Sequence, residues 1–136
     1  GGEFSPDGRF VAYVSDESGR DEVYVARFPR LDARQQISTD GGAEPGWAPG
    51  GRRLFYRDGA RMMVVDVGPG DPLEASRPRV LFEGEFAGGA GRERGYDVAA
   101  DGRQFVMARG RSQGGGEVNV VLNWLEGLRP RSPESR

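Results

Sequence analysis

Residues 4–25 read FSPDGRFVAYVSDESGRDEVYV: a Pro-Asp-Gly turn, an apolar run, a polar turn and a second apolar run. The same grammar returns twice. WAPGGRRLFYR begins at Trp47 and VAADGRQFVMA at Val98, 43 and then 51 residues after the preceding copy. Each copy has an apolar residue, two small or Pro positions, Asp-Gly or Gly-Gly, Arg, and then a run of mostly apolar residues. A repeat of about 40–50 residues holding several strands is the pattern of a β-propeller blade. The opening stretch is therefore one copy of a repeating unit.

Local chemistry supports the unit. Asp7-Gly8, Gly50-Gly51 and Asp101-Gly102 read as hairpin-turn dipeptides, because glycine supplies the positive φ that such turns demand. Pro6 and Pro49 preset the φ of the residue entering the turn. After the first turn Phe10, Ala12 and Val14 fall on one face and Val11 and Tyr13 on the other, so both faces are apolar. That suits a strand sandwiched between neighbouring sheets.

The expected architecture is all-β, a partial propeller of about three four-stranded antiparallel blades over residues 2–39, 44–84 and 95–125. Residues 35–38 are expected to close blade one. Blade two takes strands near 44–48, 53–57, 62–67 and 77–84, and blade three near 96–99, 104–108 and 118–123. The last blade lacks an outer strand. Residues 125–128 read as a short helical turn, and 129–136 as a disordered charged tail after a propeller segment spanning 1–128. Closed propellers need roughly four to eight blades, so the chain is expected to form the C-terminal half of a larger ring.

Composition narrows the chemistry. The chain has 136 residues, 23 of them Gly and 9 Pro, and a net charge of −2. Strongly apolar runs such as 61–67 rule out a wholly disordered chain. All 19 basic residues are Arg, spread along the chain among acids, so no nucleic-acid footprint is expected. No window is apolar enough for a membrane helix, and no membrane contact by this segment is expected. Cys and His are absent, which removes disulfides, thiol chemistry and the usual proton shuttle of a hydrolytic triad.

Candidate sites follow from what remains. The acids Asp16, Glu17, Asp21 and Glu22 lack the spacing of a calcium loop and read as a solvated hairpin tip. The glycine-rich run 88–97 lacks GxGxxG spacing and reads as an inter-blade loop. Tyr13, Tyr24, Tyr56, Trp47 and Trp124 read as blade packing, and Ser5 has no His to activate it. No catalytic residue, cofactor or metal is expected. Propeller partners dock on loops, so the inter-blade segments 40–45 and 88–96 are the expected binding surface, with Asp40, Glu44, Arg92 and Arg94 as contact residues for a protein or peptide.

The stretches FSPDGR…SDESGRDEVYV and ISTDGGAEPGWAPGGRRLFYR resemble the TolB-like β-propeller repeats of bacteria. The ending YDVAADGRQFVM…VNVVLNWLEGL is similar to the C-terminal ends of propellers that follow the membrane helix in bacterial receptor-like serine/threonine kinases. Gly50 departs from the usual Asp, and Ala99-Ala100 from the usual Ser-Pro. The chain holds no kinase motif and no Lys. The resemblance therefore implies a non-enzymatic sensing or interaction module, extracytoplasmic or periplasmic, with a cytoplasmic setting as the alternative. Its partners would be a protein or peptide and the N-terminal blades of the same ring. A rival reading is the gating propeller of a prolyl-oligopeptidase-like peptidase, whose repeats also carry SPDG.

Overall fold

The computed structural model describes residues 2–70, 73–84, 95–100, 104–108 and 118–121; for 107–108 and 118–121 only the backbone path is described. Eleven strands occur there: β1 Gly2–Phe4, β2 Phe10–Ser15, β3 Glu22–Arg27, β4 Asp32–Gln36, β5 Ala43–Trp47, β6 Arg53–Asp58, β7 Arg61–Asp66, β8 Arg79–Glu83, β9 Tyr96–Val98, β10 Phe105–Ala108 and β11 Val118–Val121. They form three antiparallel meanders, β1-β2-β3-β4, β5-β6-β7-β8 and β9-β10-β11. These are three consecutive blades of a partial β-propeller, the third with three strands among the described residues. The sequences 125–128 and 129–136, expected as a helical turn and a tail, lie outside the described residues.

The turns that open the blades are equivalent. In blade one the Gly8 N–H donates to the Ser5 carbonyl at 2.9 Å and the Ser5 N–H to the Phe10 carbonyl at 2.8 Å. In blade two Gly51 donates to Ala48 at 2.9 Å and Ala48 to Arg53 at 2.9 Å. In blade three Ala99 donates to Gln104 at 2.8 Å. Gly8 (φ 78°) and Gly51 (φ 76°) take the left-handed conformation, as expected, but Gly50 does not. In blades one and two the unit is thus a four-residue turn with Pro in its second place and glycine in its last, rather than a two-residue hairpin. Asp101 and Gly102 lie outside the described residues.

Side-chain alternation then builds two cores. Phe10, Ala12, Val23 and Val25 of blade one meet Leu54, Tyr56, Met63 and Val65 of blade two. The other face of blade two, Phe55, Met62, Val64 and Leu81, meets Tyr96 and Phe105 of blade three. Adjacent residues such as Leu54 and Phe55 therefore enter different cores, which explains an apolar run with no polar face. Phe105 is fully buried, with its ring edge-on to Phe55 at 4.9 Å and to Phe82 at 5.4 Å.

Strand limits differ from expectation mainly in blade one. Its outer strand is Asp32–Gln36, not 35–38, because the Arg27–Asp32 pair (3.0 Å) draws the strand start back and a register shift between Val25 and Arg27 takes up the slack. Ile37 and Ser38, expected to end that strand, follow it as buried residues, with the Ile37 N–H donating to the Val23 carbonyl of β3 at 2.7 Å.

Candidate functional site: the two loop ends of the blades

An antiparallel meander sends its connections alternately to two ends. One end, here the turn end, gathers 5–9, 28–31, 48–52, 67–70 and 73–78; Arg9 reaches the Pro69 carbonyl there at 3.3 Å. The other, the link end, gathers 16–21, 37–42 and 59–60; the Gly42 N–H donates to the Asp21 carbonyl there at 3.1 Å.

The link end is organised by one buried carboxylate. Glu22 is 2% exposed, which corrects its reading as part of a solvated acidic tip; Asp16, Glu17 and Asp21 do lie at the surface. The Ser38 hydroxyl donates a very short hydrogen bond to its Oε1, and the Gly41 N–H donates to the same atom at 3.0 Å. Arg20 Nε donates to Oε2 at 2.8 Å, while Arg20 Nη2 reaches the Thr39 carbonyl at 2.8 Å. Ser38 Oγ in turn accepts the Val23 N–H at 2.8 Å. Burial pushes the carboxyl up; the hydrogen bonds from Ser38, Arg20 and Gly41 outweigh it and hold the group below the ordinary glutamate value. Gly42 is required in the link: a Cβ there would sit 2.8 Å from Ser38 and 3.0 Å from the Tyr56 ring.

Of the four expected contact residues, Asp40 stands at the surface of this link, 3.7 Å from Arg20, with its side chain 81% exposed. Glu44 is committed to the fold. It takes a left-handed φ of 55°, its Oε1 accepts the Gly95 N–H at 2.7 Å, and its carbonyl accepts the Tyr96 hydroxyl at 2.7 Å. It thereby ties blade two to blade three. Arg92 and Arg94 lie outside the described residues, so no common surface with Asp40 is described.

The aromatic residues mostly do structural work. Trp47 and Tyr56 lie in the first core, Trp47 Nε1 donates to the Glu3 carbonyl at 2.9 Å, and Tyr13 stacks on Tyr24 at 5.8 Å. Trp124 lies outside the described residues. Burial pushes the Tyr56 hydroxyl well above its ordinary value, so it stays protonated near neutral pH.

At the turn end, Asp7 accepts from Arg9 Nε at 2.8 Å, the Arg9 N–H at 3.1 Å and the Ser5 hydroxyl at 2.8 Å. The Arg9 bonds chiefly hold its carboxyl down at about 2. Asp32 and Asp66 are likewise held low, each first by a hydrogen bond from an arginine (Arg27 and Arg79). These carboxylates are charged at neutral pH and suited to ion pairing. Among the described residues no group of three or more acids is placed to hold a metal ion.

Sequence reasoning missed the Glu22–Ser38 pair. Its members stand sixteen residues apart, and no local motif announces them. The Arg20-x-Glu22 spacing was the available hint, since alternate residues around a strand start share a face.

No family model and no curated protein matches the chain. Solved structures do. The chain is similar to an oligogalacturonate lyase from Vibrio parahaemolyticus at 19% identity and TM-score 0.55, over 77% of this chain and 26% of that one. It is similar to TolB from Acinetobacter baumannii at 18% identity and TM-score 0.54, over 90% and 32%. It is also similar to a protein assigned as a 6-phosphogluconolactonase from Bacteroides uniformis at 16% identity and TM-score 0.50, over 90% and 40%. The chain thus spans well under half the length of each.

One expectation is corrected by these likenesses. Missing kinase and triad motifs had set the chain apart from enzymes, yet the same blades build an oligogalacturonate lyase and a protein assigned as a lactonase. Those motifs test only their own chemistries, and a propeller without them is not thereby non-catalytic. The fold shown is a TolB-like β-propeller, represented here by three successive blades.

Proposed function

We propose that the chain is the propeller portion of a larger extracytoplasmic bacterial signalling protein, and that its link end docks a basic protein segment or peptide. The observation that carries this reading is the Glu22 node. Its carboxylate accepts three donors, from Ser38, Gly41 and Arg20, and Arg20 also holds the Thr39 carbonyl, while Asp40, Asp21 and Asp16 around it stay exposed. Charged side chains on a loop fixed by a rigid scaffold form a recognition surface at low ordering cost. The resemblance of the closing blade to receptor-like kinase propellers supports a kinase as the parent.

Further blades belong to the same proposal. Turn equivalence aligns Val11 with Leu54 and Phe105, and both of those face the preceding blade. Val11 and Tyr13 thus head a face meant for another sheet, and beside them Phe4 (55% exposed) and Phe28 (41%) meet edge to face.

Selection of displayed peptides against the chain tests the docking surface. Enriched peptides should carry Lys or Arg and bind at least about tenfold more weakly to an Asp21→Arg/Asp40→Arg variant, the scale of two exposed charge contacts reversed. Enrichment without basic residues, or equal binding by the variant, would overturn the reading.

A further inference from the structure

The repeat breaks its own rule at one position, and the break lies on a cleft. In blade one the turn carboxylate Asp7 takes up the guanidinium of Arg9 two residues on. The equivalent pair in blade two is Gly50 and Arg52, so the turn offers no carboxylate. Arg52 is exposed and its guanidinium has no hydrogen-bond or ion-pair partner among the described residues. It lines a cleft of about 240 Å³ between the turns of blades one and two. Phe10, Trp47, Val67 and Pro69 line it together with Gly51 and Gly68, and the Glu74 carboxylate packs against Gly68 from outside the lining. Asp7 and Arg9 form the opposite rim and neutralise one another. One positive charge without a partner among the described residues therefore stands at the mouth of a compact recess whose lining is mixed, with polar groups of Ser5, Asp7 and Arg9 beside the apolar side chains.

A guanidinium presents paired N–H donors that match a carboxylate, and it stays charged at any physiological pH. An apolar wall beside such a charge favours a ligand with a hydrophobic body and one anionic end. Departures from a local rule without structural compensation are where functional positions concentrate. We propose that this cleft at the turn end is a binding site for a small monocarboxylate carried on an apolar or aromatic group. The site is separate from the acidic link end, and its ligand has the opposite charge.

The test uses the full chain and 3-phenylpropionate as the probe, followed by amide and indole NMR shifts. Saturable shifts are expected at the Gly51 and Gly68 amides and the Trp47 indole. The neutral 3-phenylpropionamide should bind at least tenfold more weakly. Two variants lose the site in different ways. Arg52→Gln removes the charge at similar length, and Gly50→Asp restores the carboxylate that blade one uses, so Arg52 becomes satisfied internally. Both positions are in an exposed turn, and Gly50 has an ordinary φ with nothing within 4 Å of a Cβ, so both variants should fold. Each should bind the probe at least tenfold more weakly, while Val106→Ala, an exposed position in blade three outside either site, binds as the parent chain does. Equal binding of acid and amide, unchanged binding by either variant, or no saturable shift up to about 10 mM would overturn the proposal.

Discussion

Truncating Phe55 to alanine is expected to destabilise the chain by about 3–5 kcal/mol, the range for removing a large buried aromatic from a packed core. Phe55 is fully buried in the second core, and its ring abuts Phe105 edge-on at 4.9 Å. Its loss leaves a cavity between blades two and three and removes an aromatic pair together with the buried area. The strands around it are fixed by ladder bonds on both sides, so they cannot close the gap. Because small domains are held by only about 5–15 kcal/mol, much of the folded population would be lost. A control, Val106→Ala, removes a side chain that is 38% exposed on the opposite face of β10 and should cost less than about 1 kcal/mol. Denaturant unfolding of the two variants checks the difference.

Replacing Glu22 by leucine should cost about 2–4 kcal/mol. The Ser38 hydroxyl and the Gly41 N–H would lose their acceptor in a buried place, and each such orphan costs roughly 1–3 kcal/mol. Arg20 is more than half exposed and can turn to water, so it adds little. Glu22→Gln keeps an oxygen for one donor and should lose less. The pH dependence separates charge from packing. The folded-state carboxyl sits below its ordinary value, so its contribution is complete above that value and fades as pH falls through the folded one. The parent chain should thus destabilise on acidification more steeply than Glu22→Gln. Both share the remaining acid sensitivity of Asp7, Asp32 and Asp66, whose carboxyls are also lowered. Parallel pH curves for parent and Glu22→Gln would refute a charged role for the buried carboxylate.

What the sequence shows of this fold is what repeats or is local. The Pro-x-Gly turn, the left-handed glycines and the alternation of Phe10, Ala12 and Val14 each follow from a few adjacent residues, and all three appear in the structure. The partition of Leu54 and Phe55 between two cores follows from strand geometry once the blade is recognised. The link end was much less legible. Glu22 looked solvated because its neighbours Asp16, Glu17 and Asp21 are; only tertiary structure brings Ser38 and Gly41 onto it. Glu44, read from the sequence as a contact residue on an inter-blade loop, also accepts bonds from Gly95 and Tyr96, more than fifty residues away, which no local pattern announces. The start of β4 depended on the Arg27–Asp32 pair across a four-residue connection, which composition does not reveal. Gly50 is the intermediate case. Its departure from the repeat is visible in the sequence, but its consequence for Arg52 requires the cleft.

On the proposed reading, these three blades are an open stretch of a propeller whose leading face, with Tyr13, Phe4 and Phe28, packs on another blade. Exposed apolar patches and unpaired strand edges drive association. Static light scattering of the purified chain at micromolar concentration tests this directly. The expected mass is that of a dimer or larger assembly, falling to the monomer value when Phe4 and Phe28 are both replaced by glutamate or when N-terminal blades are joined to the chain. A dispersed monomer that unfolds cooperatively, with the leading face intact, would contradict it.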